Sequence, residues 1–194
     1  MNETKSQLRS RIVAARRSVD PAERQRQARA LARHAATLAE PGATVCAYVP
    51  VGSEPGSAAL IDGLVDRGVV VLLPVARRDS EDTPLPLQWG RYRPGELVSA
   101  PFGLREPRRP WLAADVLREA SVILVPALAV DRRGARLGRG AGFYDRTLGL
   151  AAPGATLVAV VGDDELVDRL PAEPHDVPMT HALTPGRGLV RLRE

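Results

Sequence analysis

Thr44-Val45-Cys46-Ala47-Tyr48-Val49 is an apolar run rich in strand formers, and Val69-Val70-Val71-Leu72-Leu73 is a second one. Between them, Ser57–Arg67 carries apolar residues at helical spacing and is closed by Gly68. Strand, helix and strand within some 30 residues form a βαβ unit, in which two parallel strands are joined by a helical crossover. Further on, Ser121–Val125 and Leu157–Val161 repeat the short β-branched pattern, and a short helix is expected from about Gly142 between them. Strands buried on both faces read as continuous apolar runs rather than alternating ones. The chain therefore reads as one α/β domain over residues 1–194, with a mostly parallel central sheet covered by helices on both faces in three layers.

Working outward, residues 3–17 place Leu8, Ile12 and Ala15 on one helical face, with Lys5 and Arg9 one turn apart. Asp20-Pro21-Ala22-Glu23 then supplies an N-cap, a proline at the first helical position and a capping-box glutamate, opening a second helix that Pro41-Gly42 ends. Residues 74–110, with seven prolines, read as irregular with one short strand near Leu85–Trp89. Residues 186–194 read as a mobile tail.

Composition removes several functions. Hydrophobic residues make up 44% of 194, enough for a sizeable core. No apolar stretch approaches the roughly 18–20 residues of a membrane span, and the N-terminus is polar where a secretory signal would be apolar. A cytoplasmic location is expected. The single cysteine, Cys46, has no partner for an internal disulfide and reads as a buried structural thiol, and three scattered histidines offer no zinc spacing. Of 27 basic residues only one, Lys5, is a lysine, and no glycine precedes it. A phosphate loop of the Gly-Lys-Ser/Thr kind is thereby excluded. The net charge of +4 is concentrated at the N-terminus, where residues 1–33 hold nine basic residues against three acidic. A nucleic-acid partner would interleave exposed aromatics with such a stripe, yet residues 1–47 contain no Phe, Trp or Tyr. No nucleic-acid partner is expected.

The chemistry concentrates in Arg136-Leu137-Gly138-Arg139-Gly140-Ala141-Gly142-Phe143-Tyr144-Asp145-Arg146. This segment follows a buried strand, so its glycines fall at the carboxyl edge of the sheet, where open α/β folds bind ligands. Alternate glycines permit positive φ and let backbone N–H groups converge on an anion at a helix N-terminus. Arg136 and Arg139 add guanidinium forks for phosphate oxygens. A dinucleotide fingerprint is a poor match, because the glycines alternate and position 143 is Phe.

On these residues the chain resembles the 5-formyltetrahydrofolate cyclo-ligases, also called 5,10-methenyltetrahydrofolate synthetases. The resemblance rests on Lys5 to Arg9, on Tyr48 with Glu54, on Gly103 to Pro107, on Pro126 with Asp131 and the run Arg136–Arg146, and on Leu170-Pro171 with His175-Asp176. It implies conversion of 5-formyltetrahydrofolate to 5,10-methenyltetrahydrofolate with ATP and Mg²⁺, releasing ADP and phosphate. By that resemblance Lys5, Arg9, Arg136, Leu137, Gly138, Arg139, Gly140, Ala141, Gly142, Phe143 and Tyr144 would hold ATP. Val49, Glu54, Arg139, Gly140, Phe143 and Tyr144 would contact the folate, and Asp145 and Asp176 would hold Mg²⁺. The partners implied are these small molecules alone, with no membrane, in a monomeric protein. Phe143 departs from the usual first tyrosine of a pair, Ala141 from Gly or Lys, Val130 from Phe and Thr180 from a common second aspartate.

Overall fold

The computed structural model describes residues 4–173 and 176–192. Two helices open the chain, α1 (Lys5–Ser18) and α2 (Pro21–Ala35). Thr4 caps α1 in a box with Gln7, whereas Asp20 caps α2 by accepting from the amides of Ala22 and Glu23. The expected capping-box role of Glu23 gives way to side-chain contacts with Arg26 and Gln27. Then follow β1 (Thr44–Cys46), α3 (Ala58–Asp66), β2 (Val70–Val75), β3 (Gln88–Arg91), β4 (Val98–Ser99), β5 (Arg105–Glu106), β6 (Trp111–Leu112), β7 (Val122–Pro126), β8 (Ala129–Asp131), β9 (Arg136–Leu137), β10 (Thr156–Val160), β11 (Leu166–Val167), β12 (His181–Thr184) and β13 (Gly188–Arg191).

Eight strands form the central sheet in the order β13-β12-β10-β7-β1-β2-β3-β6. The five from β12 to β2 are parallel, and antiparallel strands close both edges. Because side chains alternate along a strand, each central strand feeds two cores. Val45, Val71, Leu73, Leu124, Val158 and Val160 pack with Leu31 and Ala35 of α2 and Leu60, Ile61 and Leu64 of α3. Cys46, Leu72, Ile123, Val125, Leu157 and Ala159 face the other way. That second face is covered by short 3₁₀ helices, Ala114–Glu119 and Leu148–Leu150, through Leu117 and Leu148. Each fully buried leucine contributes about 1.5–3 kcal/mol of transfer free energy, so the paired cores hold the layers together.

Three expectations change. No regular helix starts at Gly142: residues 143–147 are turns, because Gly142 takes φ +79° and the buried Thr147 hydroxyl donates to the Phe143 carbonyl, giving the backbone a competing bond. The tail is a strand over most of its described length. Asp163 accepts from the Thr184 hydroxyl and the Gly186 amide, setting the turn from which β13 pairs back onto β12. In residues 74–110 the strand lies at Gln88–Arg91, two or three residues later than expected, and β4 and β5 form a separate ribbon. That ribbon is pinned by Glu106, which is buried and accepts from Arg77 at 2.5 and 2.9 Å, while Arg77 and Arg109 lie over the Trp111 ring.

Burial pushes the Cys46 thiol up to about 12. The thiolate is the reactive form, so folded protein at pH 8 should resist iodoacetamide while denatured protein takes up one equivalent. Mass spectrometry of both samples checks this, and labelling of the native state would contradict the burial.

Candidate active site

Successive crossovers leave the sheet on opposite faces: β1 reaches β2 through α3, while β7 reaches β10 through the glycine segment. The strand order thus reverses between the parallel neighbours β1 and β7, and a crevice opens beyond their carboxyl ends. A cavity of about 410 Å³ lies there, bordered by Val49 after β1, Pro74 in β2 and Pro126 at the end of β7.

Most of the sequence-predicted residues meet around it. Val49, Glu54, Arg136, Gly138, Arg139, Gly140, Ala141, Gly142, Phe143, Tyr144 and Asp145 all line this cavity. The segment is presented by a hairpin, β8 to β9, whose turn is organised by Asp131. That carboxylate is 1% exposed and accepts from the amides of Arg133, Ala135 and Leu170, each at 2.9 Å. Gly140 and Gly142 use positive φ, +92° and +79°. Gly138 serves differently, since a Cβ there would meet the Arg136 guanidinium at 3.0 Å.

The charges are mutually held. Arg136 pairs with Asp145 and leans over the Tyr144 ring, and Arg139 donates to Glu54 at 2.9 Å. Glu54 is itself fixed by the Val51 amide at 2.9 Å. Burial, and next the nearby Glu54 charge, raise the Tyr144 and Tyr48 phenols well above their ordinary range, so both remain hydroxyls. Tyr48 donates to the Pro55 carbonyl at 2.7 Å, whereas the Tyr144 hydroxyl has no partner among the described residues. Phe143, lacking a hydroxyl, packs against the core under Arg78.

The remaining predicted residues stand apart. Leu137 is buried against Ile12 and Leu128 and contributes only backbone. Arg9 donates to the Gly138 carbonyl at 2.9 Å and lies against Gly140, supporting the loop from behind. Lys5 pairs with Glu173 at 2.7 Å, and the Glu173 amide donates to Asp176. Asp176 borders a neighbouring cavity with Asp131 and Arg133, so the structure does not bring it to the cavity that Asp145 lines. His175 lies outside the described residues. Thr180 bridges β10 and β12, donating to the Leu157 carbonyl and accepting its amide.

Sequence reasoning missed Arg16, Tyr48, Arg78, Leu104 and Arg105 as lining residues. A signal for Arg16 was present, since Lys5, Arg9, Ile12 and Arg16 run along one face of α1. Part of the basic N-terminus is held by intramolecular contacts: Arg16 binds Glu165, Arg24 donates to backbone carbonyls, and Arg26 pairs with Glu23 on the surface. Among the described residues no helix is long and apolar enough to cross a membrane.

Three of the four buried side-chain polar atoms without a partner among the described residues belong to residues lining this one cavity: Arg16 Nη1, Arg136 Nε and Tyr144 Oη. Orphaned buried donors are costly, and their convergence marks a site built around a polar ligand.

Comparison with known proteins identifies the family. Residues 1–185 match the 5-formyltetrahydrofolate cyclo-ligase family. The chain is 65% identical over 190 residues to the 5-formyltetrahydrofolate cyclo-ligase of Mycolicibacterium smegmatis, covering 98% of each chain. It is 34% identical over 146 residues to that of Escherichia coli K12, covering 74% of this chain and 79% of the relative. The Aquifex aeolicus 5,10-methenyltetrahydrofolate synthetase structure superposes with a TM-score of 0.77 at 25% identity, covering 98% of this chain and 93% of the other. With the site at the switch point and this agreement over nearly its whole length, the chain belongs to the 5-formyltetrahydrofolate cyclo-ligase family of enzymes.

Proposed function

We infer that this protein converts 5-formyltetrahydrofolate to 5,10-methenyltetrahydrofolate with consumption of ATP, in folate one-carbon metabolism. The observation that carries the reading is the cavity at the carboxyl edge. There apolar and aromatic residues (Leu87, Leu104, Phe143, Tyr144) share the lining with a glycine loop that contains Arg139 and follows Arg136. Such a lining suits a flat heterocycle, and such a loop suits phosphates.

A formyl amide oxygen is a poor leaving group until it is phosphorylated. In the proposed sequence that oxygen attacks the γ-phosphorus and ADP departs. N10 of the folate then adds to the formyl carbon and loses its proton, and cleavage of the carbon–oxygen bond releases phosphate. The protein's work is alignment and charge neutralisation more than proton abstraction. The loop amides and Arg136 hold the phosphates, Arg139, fixed by Glu54, covers the junction of the two substrates, and Tyr144 donates its free hydroxyl.

Mg²⁺ fits this surface. It retains waters and phosphate oxygens and needs only one or two carboxylates, and Asp145 is a half-exposed carboxylate beside the loop. Asp145 would hold the ion, which would neutralise charge on the transferring phosphoryl group; Asp176, at the neighbouring cavity, would join it only through a rearrangement on binding. A cytoplasmic monomer acting as one domain is part of the same proposal.

Incubation of the pure protein with 5-formyltetrahydrofolate and MgATP should produce the near-ultraviolet absorbance of methenyltetrahydrofolate. No change with folded protein would sink the reading. Lys5→Ala should raise the KM for ATP several-fold and more than that for folate, because it removes the chain's one ammonium donor for a phosphate. Unchanged constants would leave Lys5 a mere tether for Glu173.

A further inference from the structure

The cavity borders a cation that the proposed chemistry leaves without a task. Arg16, on α1, is 7% exposed and lines the cavity with Tyr48 and Ala127. Its Nε donates to Glu165 Oε1 at 2.7 Å, and its Nη2 donates to Glu165 Oε2 at 2.7 Å and to the Ala127 carbonyl at 2.6 Å. Glu165 Oε2 also accepts from the Gly162 amide at 2.6 Å. This side-on fork leaves Nη1 on the opposite edge of the guanidinium, shielded from water and without a partner. A strut between α1 and the segment after β10 needs only the satisfied edge. The unsatisfied edge, which is covered as it stands, costs stability unless a ligand seated in the cavity displaces what covers it and completes it.

We propose that Arg16 Nη1 is a recognition donor for the fused-ring head of the folate, hydrogen-bonded to its ring carbonyl oxygen. The assignment rests on the folate reading of the cavity and names the residue that reads the head group. Charge argues for a neutral acceptor: Glu165 already balances the guanidinium, so Nη1 offers a strong directional donor with little net charge for phosphate. Phosphate has its own donors in the glycine loop and its arginines. Burial argues for the ring head over the carboxylate-bearing tail, whose charges are cheaper to leave in water. Three hydrogen bonds to Glu165 and Ala127 fix the plane of the guanidinium in advance, so donation requires little further ordering. Glu165 is then the positioning residue.

Calorimetric titration of 5-formyltetrahydrofolate without ATP, together with KM values for both substrates, tests this. Arg16→Lys keeps a cation opposite Glu165 and removes Nη1. The folate Kd and KM should rise about 10- to 100-fold, the range for losing one hydrogen bond from a charged donor, while the KM for ATP stays within about twofold. A folate analogue lacking the ring carbonyl oxygen should bind wild type and Arg16→Lys alike. Should Arg16→Lys fold poorly, Arg16→Met with Glu165→Met replaces the whole pair by apolar groups of similar bulk, and should show the same folate loss in a folded protein. Unchanged folate affinity in a folded variant, equal rises in both KM values, or the same loss with the analogue would reduce Arg16 to a strut. Wild-type protein that binds no folate would overturn the cavity's folate reading, and this assignment with it.

Discussion

Asp145→Ala should lower turnover at saturating ATP by about a hundredfold or more, with the KM for ATP moving far less than kcat. The split follows from what Asp145 touches. Its carboxylate pairs with Arg136 and is the more exposed of the two, Glu54 and Asp145, that line the cavity. Removing it frees Arg136 to hold phosphate in the ground state, which favours ATP binding. It also removes the carboxylate that would hold Mg²⁺, which acts where charge develops. Steady-state kinetics over a Mg²⁺ titration checks both: wild type should show a saturable requirement that the variant lacks. Retained turnover with the same Mg²⁺ dependence would leave Asp145 only as the partner of Arg136.

Gly134→Ala should cost about 3–5 kcal/mol and lower the melting temperature by roughly 10 °C. Gly134 closes the β8–β9 turn at φ +91°, and a Cβ there would stand 2.3 Å from the Met179 carbonyl oxygen and 3.2 Å from Pro178. Neither contact is a flexible side-chain end, and the Gly134 carbonyl accepts the Met179 amide at 2.8 Å, so the two segments cannot simply part. The strained φ and the overlap add. The same turn carries Asp131 and launches Arg136, so activity should fall with stability. Thermal melts followed by circular dichroism decide it, and a change of under 1 kcal/mol would mean that the segments rearrange freely.

Four of the five parallel strands, β1, β2, β7 and β10, were legible because their signal is local, whereas β12 was not read. Each of the four is a short apolar run, and the alternation within it, Val45 against Cys46 or Leu72 against Leu73, assigns side chains to two faces without knowledge of the neighbours. At the antiparallel edges β6 and β13 were hidden, and β3 was expected two or three residues early, for the opposite reason. These strands are only two to four residues long, and their hydrogen bonds are completed by a strand already in place, so their own composition is a weak guide. The helix expected at Gly142 failed because Thr147 and a left-handed glycine favour turns there.

For the site, the amino-acid sequence alone determined the glycine loop, its arginines and the carboxyl-edge location, because backbone freedom and strand polarity are properties of consecutive residues. It also excluded a lysine-bearing phosphate loop, since Lys5 has no glycine before it. Only the tertiary structure decided what each charge does. Lys5 meets Glu173 across 168 positions, Arg16 meets Glu165 across 149, and Arg139 meets Glu54 across 85. A charge on a surface helix and a charge locked at a cavity have the same letter. They differ in desolvation and in the partner the fold delivers, and both arise only when distant segments pack.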